Sequence, residues 1–206
     1  IFLCSYKFNQ FQKKYDKKII YGIKISCLNE GFPKGTAGAL LHAKDKLEDS
    51  FFLCNGDTYF DINILELAKT IKNNSLISIA IKEKKNKRYS SVNLNSKNYV
   101  TDFNVKKDTN EKTLINGGVY YVKKKLISLI NKNFFSLENE VLPIIAQSNK
   151  INGKVFNNSF LDIGVKKDLN KAKEFINRAK KKPAVFLDRD GVINKDLGYV
   201  YKYKNF

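Results

Sequence analysis

The stretch Phe51-Phe52-Leu53-Cys54-Asn55-Gly56-Asp57-Thr58-Tyr59-Phe60-Asp61 decides the architecture. Phe51–Cys54 is wholly apolar and reads as a short strand buried on both faces of a sheet. Asn55-Gly56-Asp57 then reads as a turn, which delivers the Asp57 carboxylate to the carboxyl end of that strand. Open α/β sheets bind ligands at that edge. Asp57 is therefore a candidate to hold a divalent ion against phosphates, although the same tripeptide also serves simple turns.

Working outward, strand-like and helix-like segments alternate. Upstream lie a strand over Ile1–Cys4, a helix over Phe8–Tyr15, a strand over Lys24–Leu28 and a helix over Thr36–Leu47. Thr36, behind Gly35, is the expected N-cap of that helix. Downstream, Ile64–Asn73 is helical, Leu76–Ile81 is a strand, and Ser91–Leu94 and Val100–Phe103 form an antiparallel pair. Gly118–Val122 is a strand; Lys125–Asn131, Glu138–Gln147 and Lys166–Lys180 are helices. This order predicts an α/β fold, a Rossmann-like, mostly parallel mixed sheet with flanking helices.

Lys180–Lys182 followed by Pro183 marks a boundary. It divides the chain into a first unit over 1–179, a linker over 180–183 and the start of a second α/β unit over 184–206. That last piece opens with an apolar strand, Ala184–Leu187, and is too short for a domain. Residue 1 is not Met, so the natural start is expected upstream.

Composition narrows the partners. Hydrophobic residues make up 43% of the 206, enough for a packed core. No run of about 18 apolar residues exists, so no membrane span is expected. The net charge of +18 invites a nucleic-acid reading, but Arg occurs only at 88, 178 and 189 and the lysines are scattered. Nucleic-acid readers rely on Arg forks with interleaved aromatics. The surface is read as solvated lysine, attractive to anionic substrates such as nucleoside triphosphates. Cys4, Cys27 and Cys54 form no C-x-x-C pair, and Cys54 lies in an apolar run where a buried, reduced thiol is expected. A cytoplasmic compartment fits such cysteines. His42, the single histidine, is expected in a partly buried packing or capping role.

Two further clusters carry chemistry. In Glu30-Gly31-Phe32-Pro33-Lys34-Gly35-Thr36-Ala37-Gly38-Ala39-Leu40, small residues crowd a helix entry. They admit close approach of a flat ligand to free backbone N–H groups. In Phe160-Leu161-Asp162-Ile163-Gly164, Asp162 is a second carboxylate beside an apolar stretch, able to share one magnesium with Asp57.

Together, E-G-F-P-K-G-T-A-G-A-L (30–40), L-C-N-G-D-T-Y-F-D (53–61), K-R-Y (87–89), I-N-G-G-V-Y-Y-V (115–122), F-S-L-E-N-E-V-L-P (135–143) and F-L-D-I-G-V-K-K-D-L (160–169) resemble the sugar-phosphate nucleotidyltransferases, in the family's order and over residues 1 to about 179. Within that family the likeness is greatest to guanylyltransferases acting on heptose 1-phosphate. The resemblance implies that Gly35, Thr36 and Ala37 line the nucleotide, and that Asp57 and Asp162 bind Mg2+. It implies that Asn116, Gly117 and Gly118 lie along the sugar, that Glu138 bonds sugar hydroxyls and that Lys106 faces the phosphates. A sugar 1-phosphate oxygen would attack the α-phosphate of a nucleoside triphosphate and release pyrophosphate. The family's G-G-x-G-T-R-L loop, which cradles the triphosphate, is not among these residues, so the 206 residues alone are expected to be inactive. Val105 stands where the family often has Glu in F-x-E-K.

Ala184-Val185-Phe186-Leu187-Asp188-Arg189-Asp190-Gly191 runs a strand into D-x-D-G. One carboxylate of such a pair can attack phosphorus while the other manages the proton. The stretch through Asn194, with Gly198-Tyr199-Val200, resembles the first motif of haloacid-dehalogenase phosphatases, in the branch with heptose-bisphosphate and histidinol-phosphate phosphatases. The resemblance implies Asp188 as nucleophile, Asp190 as general acid/base, and Mg2+ at both. The two resemblances together imply a bifunctional enzyme of nucleotide-sugar synthesis. Rival readings are a mannose or glucose 1-phosphate nucleotidyltransferase, a non-catalytic sugar-nucleotide-binding subunit, and a lysine-based nucleic-acid binder.

Overall fold

The structure is a computed structural model describing residues 1–85, 91–105, 112–131, 136–164 and 166–181, the side chains of 104, 105 and 167 excepted. Lys106, the K-R-Y piece, Asp188, Asp190 and the whole second unit over 184–206 lie outside the described residues.

One long strand organises the sheet. Strand β10 (Lys112–Lys123) pairs antiparallel along one edge with β7 (Ile77–Lys85). Its other edge is shared: β8 (Ser91–Leu94) meets it at Ile115, and β5 (Ser50–Cys54) pairs with Val119–Lys123. Strand β9 (Val100–Val105) pairs with β8, and β11 (Ile151–Val155) lies parallel on the far side of β7. Because β5 and β7 both oppose β10, the strands β5, β7 and β11 run in one direction. The expected α/β fold with a mixed sheet is what the chain adopts, although among the described pairings of this sheet only β7–β11 is parallel, because the long β10 opposes each of its neighbours.

The Leu76–Ile81 run shows what a fully buried strand looks like. Ile77, Ile79 and Ile81 face one core with Leu126, Leu142 and Ile151, all fully buried. Ala80 faces the other core with Phe60, Leu67 and Phe156. The Phe51–Cys54 run does not behave this way: Phe51, Phe52 and Leu53 are half-buried and Cys54 is exposed. Among the described residues, one edge of β5 carries no strand, which removes the cover that double-sided burial needs.

A second, two-stranded layer precedes this sheet. Strand β1 (Phe2–Cys4) runs parallel to β4 (Cys27–Asn29), with helix α1 (Phe8–Tyr15) and the small hairpin of β2 (Ile19–Ile20) and β3 (Ile23–Lys24) between them. The single strand expected over Lys24–Leu28 is thus split. The break comes where the Cys27 N–H donates to the Asp16 carboxylate at 2.8 Å and the Ile25 N–H to the Lys18 carbonyl at 2.8 Å.

Helix α2 (Gly35–Ala43) starts one residue before Thr36 and ends in a tight turn over Lys44–Lys46. Helix α3 (Ile64–Ala68) is shorter than its apolar pattern suggested, and Asn63 caps it by accepting from the Leu65 and Glu66 N–H groups. The segment over Lys124–Leu129 is a 3-10 helix. The helix expected over Glu138–Gln147 is a π-turn over Leu137–Val141 running into α4 (Leu142–Ala146). Helix α5 (Lys166–Lys180) has the expected limits. Among the described residues, no helix is long and apolar enough to cross a membrane.

Candidate active site

A cavity of about 900 Å3 opens where the two layers meet, lined by Leu3 and Ser5 of the first layer and by Leu53 to Asp57 of the second. Glu30, Gly35, Thr36 and Glu138 complete its polar wall. Three of the residues singled out in the sequence, Gly35, Thr36 and Glu138, therefore share a wall with Asp57.

Local chain requirements explain the α2 entry. Gly35 has φ +66°, a conformation that disfavours any side chain. A Cβ on Gly38 would come within 2.5 Å of the Lys34 Cβ, so the first turn closes only over glycine. Ala37 is fully buried and packs the turn onto the core. Thr36 is not the N-cap. Lys34 occupies that position without a side-chain cap, and the Thr36 hydroxyl points across the site instead. It donates to Glu138 Oε2 at 2.8 Å and accepts from the Leu137 N–H at 2.8 Å.

Glu138 sits on the π-turn, a rare geometry that often marks functional positions. Ser136 caps that turn through the Asn139 N–H at 3.0 Å, and Glu140 reaches back to the Ser136 N–H at 2.6 Å. The other Glu138 oxygen, Oε1, accepts from the Tyr120 hydroxyl at 3.2 Å. Tyr120 is fully buried and accepts from Asn116 Nδ2 at 2.7 Å. Burial, with the negative charge of Glu138 beside it, pushes the Tyr120 phenol well above its usual value; the Asn116 bond works the other way. The phenol therefore remains an O–H donor at any physiological pH.

Asn116, Gly117 and Gly118 form the irregular step where β10 and β7 lose register between Asn116 and Tyr120. Asn116 Oδ1 accepts from the Gly118 N–H at 3.0 Å, and the Gly118 carbonyl accepts from the Asn55 N–H at 2.9 Å. Gly118 has φ +68°, and a Cβ there would sit 3.0 Å from Asn55 Nδ2 and 3.1 Å from Thr58 Oγ1. A Cβ on Gly117 would meet the Phe60 ring at 2.5 Å. The glycine pair thus lets β10 pass directly behind the Asp57 turn.

The chain brings the backbones at Asp57 and Asp162 side by side. Strand β12 (Phe160–Asp162) pairs antiparallel with β6 (Thr58–Phe60), setting Asp162 opposite Thr58. The Ile163 N–H donates to the Asp57 carbonyl at 2.8 Å, closing the corner, and Asp162 Oδ1 accepts from the Gly164 N–H at 2.8 Å. Among the described residues, no group of three His, Cys, Asp or Glu side chains could hold a metal. Asp57 lines the cavity and Asp162 does not; a carboxylate is the donor type that Mg2+ takes, usually one or two of them with phosphates and water.

Two further sequence expectations change. Cys54 is exposed at the cavity wall rather than buried, for the reason given for β5. His42 is exposed rather than partly buried; its Nε2–H donates to the Asn29 carbonyl at 2.9 Å, tying α2 to β4. The sequence reading passed over Tyr120, because an aromatic in a strand reads as core and nothing in the pattern reveals where its hydroxyl ends.

These features place a polar-walled cavity at the edge of an α/β sheet. The nucleotidyl transferase family model matches residues 1–179, and the chain belongs to that family. Among its relatives is the D-glycero-alpha-D-manno-heptose 1-phosphate guanylyltransferase of Campylobacter jejuni, 34% identical over 82% of this chain and 74% of that protein. A probable mannose-1-phosphate guanylyltransferase 3 of Arabidopsis thaliana is 30% identical over 91% of this chain, which spans only 59% of that protein. The crystal structure of HddC from Yersinia pseudotuberculosis complexed with GMP-PN superposes with a TM-score of 0.70 at 28% identity, covering 84% of this chain and 76% of that one.

Proposed function

We propose that the protein transfers a nucleotidyl group from GTP to a sugar 1-phosphate, with heptose 1-phosphate as the acceptor. The observation that carries this reading is a single cavity bringing together the glycine-bounded turn at Thr36, the Asp57 corner and the Glu138 carboxylate. The named activities of the Campylobacter and Arabidopsis relatives, and the GMP-PN bound to the Yersinia protein, support the choice of guanine nucleotide.

In this reading, Gly35, Thr36 and Ala37 bind the nucleotide, while Asn116, Gly117, Gly118 and Glu138 orient the sugar. Lys106 would face the phosphates. Asp57 and Asp162 would hold Mg2+, which when bound offsets negative charge on the phosphate oxygens. A sugar 1-phosphate oxygen forms a bond to the α-phosphorus as the bond to the bridging oxygen breaks and pyrophosphate leaves. Such transfer needs alignment more than covalent help. The protein's work is therefore to hold two anionic substrates in line and apart from water.

The D-x-D-G at Asp188 and Asp190 extends the proposal to a bifunctional enzyme, with a heptose 1,7-bisphosphate phosphatase supplying the acceptor. Asp188 would attack phosphorus, Asp190 would manage the proton, and both would share a second Mg2+.

The test is a product screen on the full-length protein, pairing GTP, UTP, dTTP and ATP with heptose, mannose and glucose 1-phosphates and measuring released pyrophosphate. GTP with heptose 1-phosphate should react fastest. Equal use of all four nucleotides sinks the guanylyl assignment. Preference for mannose 1-phosphate moves the acceptor to the Arabidopsis-type reading, and binding without turnover makes the protein a sugar-nucleotide-binding subunit. Phosphate release from heptose 1,7-bisphosphate, lost in Asp188→Asn, tests the second activity.

A further inference from the structure

The nucleotide turn and the sugar carboxylate are joined by a single hydrogen bond. Thr36 Oγ1 belongs to the first turn of α2, and Glu138 Oε2 belongs to the π-turn, 102 positions away in sequence. A hydroxyl has one proton and two lone pairs. Thr36 uses its proton on Glu138 and a lone pair on the Leu137 N–H, so it grips both ends of one peptide segment. Tyr120 likewise spends its one proton on Glu138 Oε1 and accepts from Asn116 Nδ2. Glu138 Oε1 thus receives the Tyr120 hydroxyl and keeps a lone pair for an incoming donor, while Oε2 receives the Thr36 hydroxyl and, more weakly at 3.5 Å, that of Ser136. The carboxylate cannot turn without breaking one of these bonds, and α2 cannot shift without dragging it.

We propose that the Thr36–Glu138 hydrogen bond couples the two substrate sites, so that nucleotide and sugar 1-phosphate bind with positive cooperativity, and that Thr36 and Tyr120 are positioning residues for Glu138. The inference rests on the assignment of this cavity to nucleotidyl transfer. A ligand that settles the α2 turn fixes Thr36, and Thr36 fixes the carboxylate for the second ligand; by linkage the effect runs equally in both directions. The bond is charge-assisted and bridges two elements, so its contribution exceeds that of an ordinary neutral pair.

The experiment uses the full-length protein with Mg2+ and a GTP analogue whose α–β bridge cannot be cleaved. Calorimetry measures the Kd of sugar 1-phosphate with and without saturating analogue. Wild type should bind the sugar phosphate about fivefold or more tightly when the analogue is present. Thr36→Val should reduce that ratio towards one, and Thr36→Ser, which keeps the hydroxyl, should restore it. Tyr120→Phe should weaken sugar phosphate binding about tenfold whether or not the analogue is bound. A Thr36→Val protein that keeps the wild-type ratio overturns the coupling. So does a wild-type ratio of one. Should Thr36→Val not fold, the Ser variant and Glu138→Gln carry the test: Ser must keep the ratio, and Gln, unable to accept from both hydroxyls as a carboxylate does, must lose it. Failure of wild type to bind either ligand overturns the transferase reading itself, a different outcome from binding without coupling.

Discussion

The two ends of the cavity differ in how much of their geometry exists before any ligand arrives. At the Glu138 end, both carboxylate oxygens are already held by Thr36 and Tyr120, and Tyr120 is in turn held by Asn116. At the Asp57 end, the backbone corner is closed by the Ile163 N–H, but Asp57 itself is exposed and, among the described residues, no hydrogen bond reaches its carboxylate. The physical lesson is one of charge. A lone carboxylate beside buried groups needs donors from the protein, because its desolvation is costly. An exposed carboxylate such as Asp57 can remain solvated, because water supplies the donors that a buried group must take from the protein.

The comparison breaks if the Asp57 end proves structural. Asp57→Asn should lower Mg2+-dependent turnover of the full-length protein by about 10²–10³-fold, with no change in thermal midpoint. A large drop in Tm would show that the carboxylate holds the fold. The join between the two ends lies at Gly118, which touches both Asn55 and Asn116. Gly118→Ala forces a side chain into positive φ and should cost about 1–2 kcal/mol of stability by denaturant unfolding. An unchanged midpoint would mean that β10 can move away from the Asp57 turn.

Glu138→Gln sharpens the contrast from the other side. It should weaken sugar 1-phosphate binding by about tenfold in titration calorimetry. It should also lower Tm measurably, because Glu138, unlike Asp57, sits inside a finished hydrogen-bond set. The smallest effect is expected at Glu30, on the same cavity wall. Burial raises its carboxyl above the ordinary carboxylate value, with His42 and Lys34 opposing in part. The folded form then holds the proton more tightly than the unfolded chain, so this contribution to stability falls as pH rises upward from the ordinary value. Glu30→Gln removes that loss. It should raise Tm by about 1–2 °C at pH 7 and leave it level with wild type at pH 4; a gain at both pH values would point to packing instead.

How much of this was legible beforehand depends on which side of a residue decides its role. Gly35 could be singled out from sequence because backbone requirements are local: small residues at a helix entry announce close approach, whereas Gly117 and Gly118 were named only through the family resemblance. Asp57 was legible because a carboxylate directly after an apolar strand has one place to go. The α5 limits were legible because the helix is long and ends at a Lys cluster followed by Pro183. The double-sided burial expected for Phe51–Cys54 did not appear, because burial depends on neighbours across the sheet and an apolar run says nothing about which edge is left open. Thr36 looked like an N-cap by type and position, and the structure gives it a partner 102 residues away.

By itself, the sequence determined the α/β class and many of its elements, among them the helix ending at Lys180, though not the short strands over Thr58–Phe60, Ile151–Val155 and Phe160–Asp162. Those properties follow from periodicity, turn chemistry and local backbone freedom, which act over a few residues. The tertiary structure decided which residues come together: the backbone at Asp57 beside that at Asp162 through the β6–β12 pairing, and Thr36 and Tyr120 on the two oxygens of Glu138. Hydrogen bonds act within about 3 Å, and that nearness arises only when the strands take their register and the sheet brings distant segments to one edge.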